Sequence, residues 1–163
     1  MTNIPLSPLT KSAFAPFGDV VETRGANPVS INQGFASRFN DLANIDVAAE
    51  NGAVNISVFE AAPRPPPIAI KLMERHPLGS QLFFPLQDKP WLVLVCADPL
   101  DPLTYRAFRA SGRQGVNYAR NVWHHPLLVL EAGETFLVVD RKGFGDNLEE
   151  AWLKDDGWLF LGP

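Results

Sequence analysis

The chain has 163 residues, 46% apolar and 20% charged, enough apolar side chains for one globular core and a length that fits a single domain over residues 1–163. Fourteen Lys and Arg against eighteen Asp and Glu give a formal net charge of -4, which repels phosphate backbones and anionic headgroups and so excludes nucleic acid and membrane surfaces as expected partners. A small anionic substrate is still compatible with that charge, because a few arginines outweigh a weak global field at short range.

In chain order, Met1-Thr-Asn-Ile-Pro5 lacks the basic start and apolar run of a secretory leader. No later apolar run approaches the roughly twenty residues of a membrane span, and a cytoplasmic location is expected. Thr10 to Ala15 is predicted helical, with a capping threonine and Gly18 just beyond. Fifteen prolines spread along the chain favour short segments joined by turns. Asp19–Glu22 and Asn55–Glu60 read as strands, and Ala61–Pro67 as a stiff, proline-rich connector. Ile68 to His76 alternates, placing Ile68, Ile70, Leu72, Glu74 and His76 on one face and Ala69, Lys71, Met73 and Arg75 on the other. Gln81–Phe84 and Thr104–Arg109 are further strands. Trp91–Ala97 and Leu127–Leu130 are continuous apolar runs of the kind buried on both faces. The only cysteine, Cys96, lies within the first of these runs and reads as a small buried hydrophobe in a reducing compartment. Glu134–Asp140 is another β-rich run, with Phe136, Val138 and Asp140 on one face, and Arg141 reads as a surface charge. Asp146–Leu153 is predicted helical, since Asp146 and Glu149 have capping-box spacing. The whole pattern predicts an all-β chain, an antiparallel barrel or sandwich, with short N-terminal and C-terminal helical segments.

All three histidines fall at two spots, His76 and the pair His124-His125, and each spot runs into a proline that stiffens the backbone. Glu74 and His76 share a strand face, and Gln81 opens the next strand after Pro77-Leu-Gly-Ser80. With a histidine from the later strand, these side chains would either hold a divalent ion or form a polar network that binds an organic substrate directly. Strand neighbours point to opposite faces, so only one of His124 and His125 lines a given cavity, and spacing does not choose between them. The segment from Gly115 to Pro126 is dense in donors. Asn117, Tyr118, Arg120 and Asn121 are suited to carboxylate or urea-like groups, and Trp123 to excluding water. Asp140 is a partly buried carboxylate in need of a partner. No glycine pattern cradles a phosphate, and no organic cofactor is expected.

Glu74-Arg-His-Pro-Leu-Gly-Ser-Gln81, Gly115-Val-Asn-Tyr-Ala-Arg-Asn-Val-Trp-His-His-Pro-Leu127, and Phe136–Arg141 with Asp146-Asn147 resemble the ureidoglycolate lyase family. So do Pro8–Phe14 and Phe17–Glu22, so that the similarity covers nearly the whole chain. The resemblance implies a cupin-type β-barrel (jelly roll), a homodimer, and cleavage of (S)-ureidoglycolate to glyoxylate and urea in allantoin and purine catabolism. It also implies a divalent metal, nickel in particular. Cupins draw two histidines and a glutamate from a first motif and one histidine from a second; Glu74, His76 and Gln81 stand at the first and His124 at the last. Two of these four depart from the usual ligand type, and Ala119 stands where the family pattern has a histidine.

The implied substrate is a hemiaminal. Its cleavage needs a proton removed from the carbinol hydroxyl and one delivered to the departing nitrogen, with no covalent nucleophile. His76, His124 and Glu74 are the expected catalytic groups, and Glu74, His76, Gln81 and His124 the expected metal ligands. Gln81, Asn117, Tyr118, Arg120, Trp123 and Asp140 are the expected substrate contacts. The alternatives are an amidohydrolase that releases ammonia from the same substrate and a non-catalytic module that binds a small ureido acid.

Overall fold

The computed structural model describes residues 2–154 and 159–161. In chain order the strands are β1 (Thr2–Ile4), β2 (Leu6–Pro8), β3 (Gly18–Val21), β4 (Pro28–Ile31), β5 (Ala36–Phe39), β6 (Ala53–Ala61), β7 (Ile68–Ile70), β8 (Leu72–Arg75) and β9 (Gln81–Pro85). They continue as β10 (Trp91–Cys96), β11 (Arg106–Ala110), β12 (Gly115–Tyr118), β13 (Trp123–His124), β14 (Leu128–Val129), β15 (Glu134–Lys142), β16 (Glu149–Trp152) and β17 (Leu159–Leu161). One helix, α1 (Lys11–Phe14), follows β2; Thr10 caps it by accepting from the Ala13 N–H, as its sequence predicts.

The molecule is built in layers. A five-stranded sheet, β3-β12-β9-β15-β6, faces a seven-stranded one, β16-β8-β13-β10-β11-β2 with β14 beside β10. A three-stranded sheet, β1-β17-β7, covers the far side of the second. β10 therefore lies in the middle layer, which is why its sequence is apolar at every position. Trp91, Val93 and Val95 pack toward Phe83, Val116, Phe136 and Val138 of the five-stranded sheet. Leu92, Leu94 and Cys96 pack toward Ile4, Ile70, Leu159 and Leu161. Cys96 is buried, and burial pushes its thiol up to about 12.

Three sequence expectations change. The described strands form stacked sheets whose outer strands are not hydrogen-bonded into a closed barrel. Asp146–Leu153 is not helical: Glu149–Trp152 pairs antiparallel with Arg75–Leu72, and the ladder with β8 outweighs a capping pattern too short to nucleate a helix. The run from Ile68 to His76 is two strands, because the chain leaves one sheet for the next at Lys71. The alternation slips there, so Ile68, Ile70 and Met73 share one core cluster while Glu74 turns the other way, opposite His124.

Candidate active site

At one end of the space between the two large sheets, apolar packing gives way to polar side chains. β8 and β13 bring Glu74 and His124 side by side, since the two are register partners. Gln81 opens β9, and His76 follows β8 in the turn that leads to it. The potential ligand atoms of Glu74, His76 and His124 all lie within 4.8 Å of one another. Glu74 Oε1 lies 3.5 Å from His124 Nε2. Gln81 Oε1 lies 3.1 Å from His76 Nε2 and 3.2 Å from His124 Nε2. The hairpin at position 76 and the strand at position 124 therefore meet, with ring centroids 5.2 Å apart.

The cluster is electron-rich in a way that hydrogen-bond arithmetic exposes. His76 Nδ1 lies 2.7 Å from the Asn147 carbonyl and His124 Nδ1 2.9 Å from the Val122 carbonyl, so each ring is placed to donate there. Each Nε2 also faces the Gln81 oxygen. These four nitrogen-to-oxygen contacts require four N–H groups, and two neutral imidazoles supply two. Two extra protons or one divalent cation at the Nε2 side balance the set. Burial pushes the Glu74 carboxyl up. The hydrogen bond and charge of His124, with His76 and His125, outweigh that and hold it below the usual carboxylate range.

Tyr118 stacks on His124, with centroids 4.1 Å apart and planes 10° from parallel, and so fixes that ring while packing against Phe14 and Phe83. Burial and the Glu74 charge push its phenol well above its ordinary range. Asp140 receives Gln81 Nε2 at 3.4 Å and Asn55 Nδ2 at 2.9 Å.

Of the other expected contacts, Asn117 and Trp123 are directed away from the cluster, and Arg120 lies on the turn beside His76. Asn117 is on the opposite face of β12 from Tyr118, where its Nδ2 donates to Asp19 Oδ2 at 3.0 Å and to the Asn44 carbonyl at 2.8 Å, tying down the loop before β6. Trp123 points away from His124 into the second core cluster, with the Arg75 guanidinium 4.5 Å above its ring. Arg120 is exposed on the turn beside His76, its Nε donating to the Pro77 carbonyl at 2.5 Å. His125 is buried and donates from Nδ1 to the Pro126 carbonyl at 2.7 Å.

Four contributors were not foreseen. Asn55 and Ser57 lie on the inner face of β6, opposite Asp140 and Val138, and the buried Ser57 hydroxyl has no hydrogen-bond partner. Their signal was two polar residues at alternate positions of a predicted strand. Asn147 accepts from Leu78 N at 2.8 Å through its side chain and holds His76 through its backbone. Arg141, expected at the surface, is 7% exposed. It donates to the carbonyls of Ala49 at 2.9 Å, Glu50 at 3.4 Å and Phe144 at 2.7 Å, pinning the loops on both flanks of the cluster. Gly52 leaves it room: a Cβ there would come within 2.3 Å of Arg141 Nε.

Known proteins resemble this chain along its length. A family model described as Ureidoglycolate lyase matches residues 1–160. A ureidoglycolate lyase of Burkholderia mallei (strain NCTC 10229) is 51% identical over 169 residues, covering 99% of each chain. One of Stutzerimonas stutzeri (strain A1501) is 48% identical over 165 residues, covering 100% of this chain and 97% of that one. Ureidoglycolate lyase 1 of Rhizobium meliloti (strain 1021) is 53% identical over 148 residues, covering 90% and 87%.

Proposed function

The chain belongs to the ureidoglycolate lyase family, and from that premise we propose that it cleaves (S)-ureidoglycolate to glyoxylate and urea at the cluster of Glu74, His76, Gln81 and His124. The observation that carries this assignment is the convergence of a carboxylate, two imidazole Nε2 atoms and an amide oxygen on one point. The proton lost by the carbinol oxygen is the one the departing nitrogen needs, so a single shuttling group suffices. Glu74 takes that role: its side chain keeps 18% exposure, and its second oxygen is uncommitted among the described residues. It accepts the hydroxyl proton as the C–N bond breaks and the C=O bond forms, then returns the proton to the nitrogen of urea. Such proton transfer contributes typically about 10²–10⁴-fold. Arg120, on the turn beside His76, binds the substrate carboxylate, and Ser57 Oγ and Asn55 face the ureido group.

The donor set also fits a divalent cation, since it presents acceptors that lack two protons. Glu74, His76, Gln81 and His124 would hold it, and when bound it supplies Lewis-acid polarisation of the carbinol oxygen. Nickel is our assignment for the ion, in keeping with two imidazole ligands. The same reading places the enzyme in the cytoplasm, in purine-derived nitrogen catabolism, as one cupin jelly-roll domain over residues 1–163.

It also makes the protein a homodimer. The outer face of the five-stranded sheet carries Val54, Ile56 and Val58, at 48%, 67% and 60% exposure, beside Leu137 and Val139. A contiguous apolar face of this kind is rarely left to solvent.

Incubation with ureidoglycolate, with and without chelator, and measurement of glyoxylate, urea and ammonia tests the assignment. Equal glyoxylate and urea are expected. Ammonia without urea would assign an amidohydrolase, and saturable binding without turnover would deny catalysis.

A further inference from the structure

We propose that Asp140 is a positioning residue that decides which end of the Gln81 amide faces the two imidazoles. The inference rests on reading the cluster as a cation site, and it concerns how that site is kept ready. A glutamine amide has nearly the same shape in either orientation and opposite polarity at its two ends, so packing alone does not choose between them. Asp140 does. Its Oδ2 lies 3.4 Å from Gln81 Nε2, and its Oδ1 is held by Asn55 Nδ2 at 2.9 Å, across the β15–β6 register pair.

Turning the Gln81 amide over would set its oxygen against the Asp140 carboxylate, acceptor on acceptor. It would also aim the amide hydrogens at His76 Nε2 and His124 Nε2, which lie 3.1 and 3.2 Å from the present oxygen position. Both imidazoles would then be satisfied internally, and the cluster would have no need of a cation. The carboxylate on β15 prevents that collapse, leaving three neutral acceptors and Glu74 directed at one point.

Asp140→Asn removes the constraint, because the new amide can donate to Gln81 Oε1 and let it turn. Titration of nickel alone onto metal-stripped protein should show affinity about 10- to 100-fold weaker in Asp140→Asn, as outer-shell changes typically give. The melting temperature of the metal-free variant should be unchanged or higher. In the Gln81→Glu background the side chain has no donor end, so adding Asp140→Asn should cost less than about threefold. Asn55→Ala, which loosens the same carboxylate, should weaken affinity in wild type by a smaller factor, and it serves alone if Asp140→Asn fails to fold. Proton NMR of the metal-free protein reads the orientation directly: contacts from the Gln81 amide hydrogens should run to the Asn55 and Asp140 side in wild type and to the His76 and His124 ring protons in Asp140→Asn. Unchanged nickel affinity in Asp140→Asn, an equal loss in both backgrounds, or wild-type amide contacts to the imidazoles would overturn the proposal. A wild-type protein that binds no nickel yet shows the expected amide contacts would sink the cation reading and leave the orienting role intact.

Discussion

His125 offers a direct test of how burial is distributed between the paired histidines. It is 3% exposed, its backbone N–H donates to the Leu94 carbonyl at 2.9 Å, and its Nδ1 to the Pro126 carbonyl at 2.7 Å. Burial lowers its pKa from the ordinary 6.5 to about 4; the Pro126 hydrogen bond and Glu74 oppose the shift, and Arg64 and His124 add to it. The folded state therefore holds this ring neutral where the unfolded chain protonates it. Its contribution is fully present above pH 6.5 and is lost as pH falls through the folded value near 4. At about 1.36 kcal/mol per pH unit, the loss over that window is roughly 3 kcal/mol, a large share of a typical stability of about 5–15 kcal/mol. Urea denaturation of wild type and His125→Gln across the same window measures it, and the difference between the two proteins removes contributions common to both. Stability of the variant should fall less steeply with acid, by about that amount. Parallel curves would show that the ring is not held neutral, and the burial argument would be wrong. Glu74 titrates in a lower window: its pKa lies below the usual carboxylate value of 4.5, so its contribution is lost only as pH falls through that depressed value.

His124→Ala should lower kcat by at least about tenfold with the fold retained, and unchanged kinetics would remove the ring from the mechanism. Arg141→Met strips three carbonyls of a charged donor and should cost about 2–3 kcal/mol in urea denaturation. It should also lower kcat, because Asn147, which holds His76 Nδ1, belongs to the loop that Phe144 anchors; unaltered stability would mean that the clamp contributes nothing. Ile56→Lys sets a charge in the exposed apolar face and should shift sedimentation from dimer toward monomer, whereas an unshifted dimer would place the interface elsewhere.

Much of the strand layout was legible because burial on one face imposes alternation and burial on both removes it, as β10 illustrates. Glu74, His76, Gln81 and His124 were legible as a group because turns and prolines fixed their backbone, and they do converge. Asn117 and Trp123 are directed elsewhere for one reason. Asn117 and Tyr118 are adjacent on β12, as Trp123 and His124 are on β13, and adjacent strand residues cannot line the same cavity. The alternation that separates His124 from His125 separates each of these pairs as well. The predicted helix at 146–153 failed because local capping geometry carries no information about β8, which supplies the partner strand. Arg141 was unreadable in advance for a related reason: its acceptors are backbone carbonyls at positions 49, 50 and 144, and no side-chain pattern announces them.

β15 and β6 are joined through nine consecutive residue pairs, from Glu134↔Ala61 to Lys142↔Ala53. Along that seam Asp140 looks inward and Arg141 outward, opposite charges at neighbouring positions. A slip of one residue would exchange them, driving a guanidinium in beside Gln81 and Asn55 and stranding a carboxylate beneath the carbonyls that Arg141 now serves. An inserted or deleted residue within β15 thus disrupts the cluster while replacing none of its side chains.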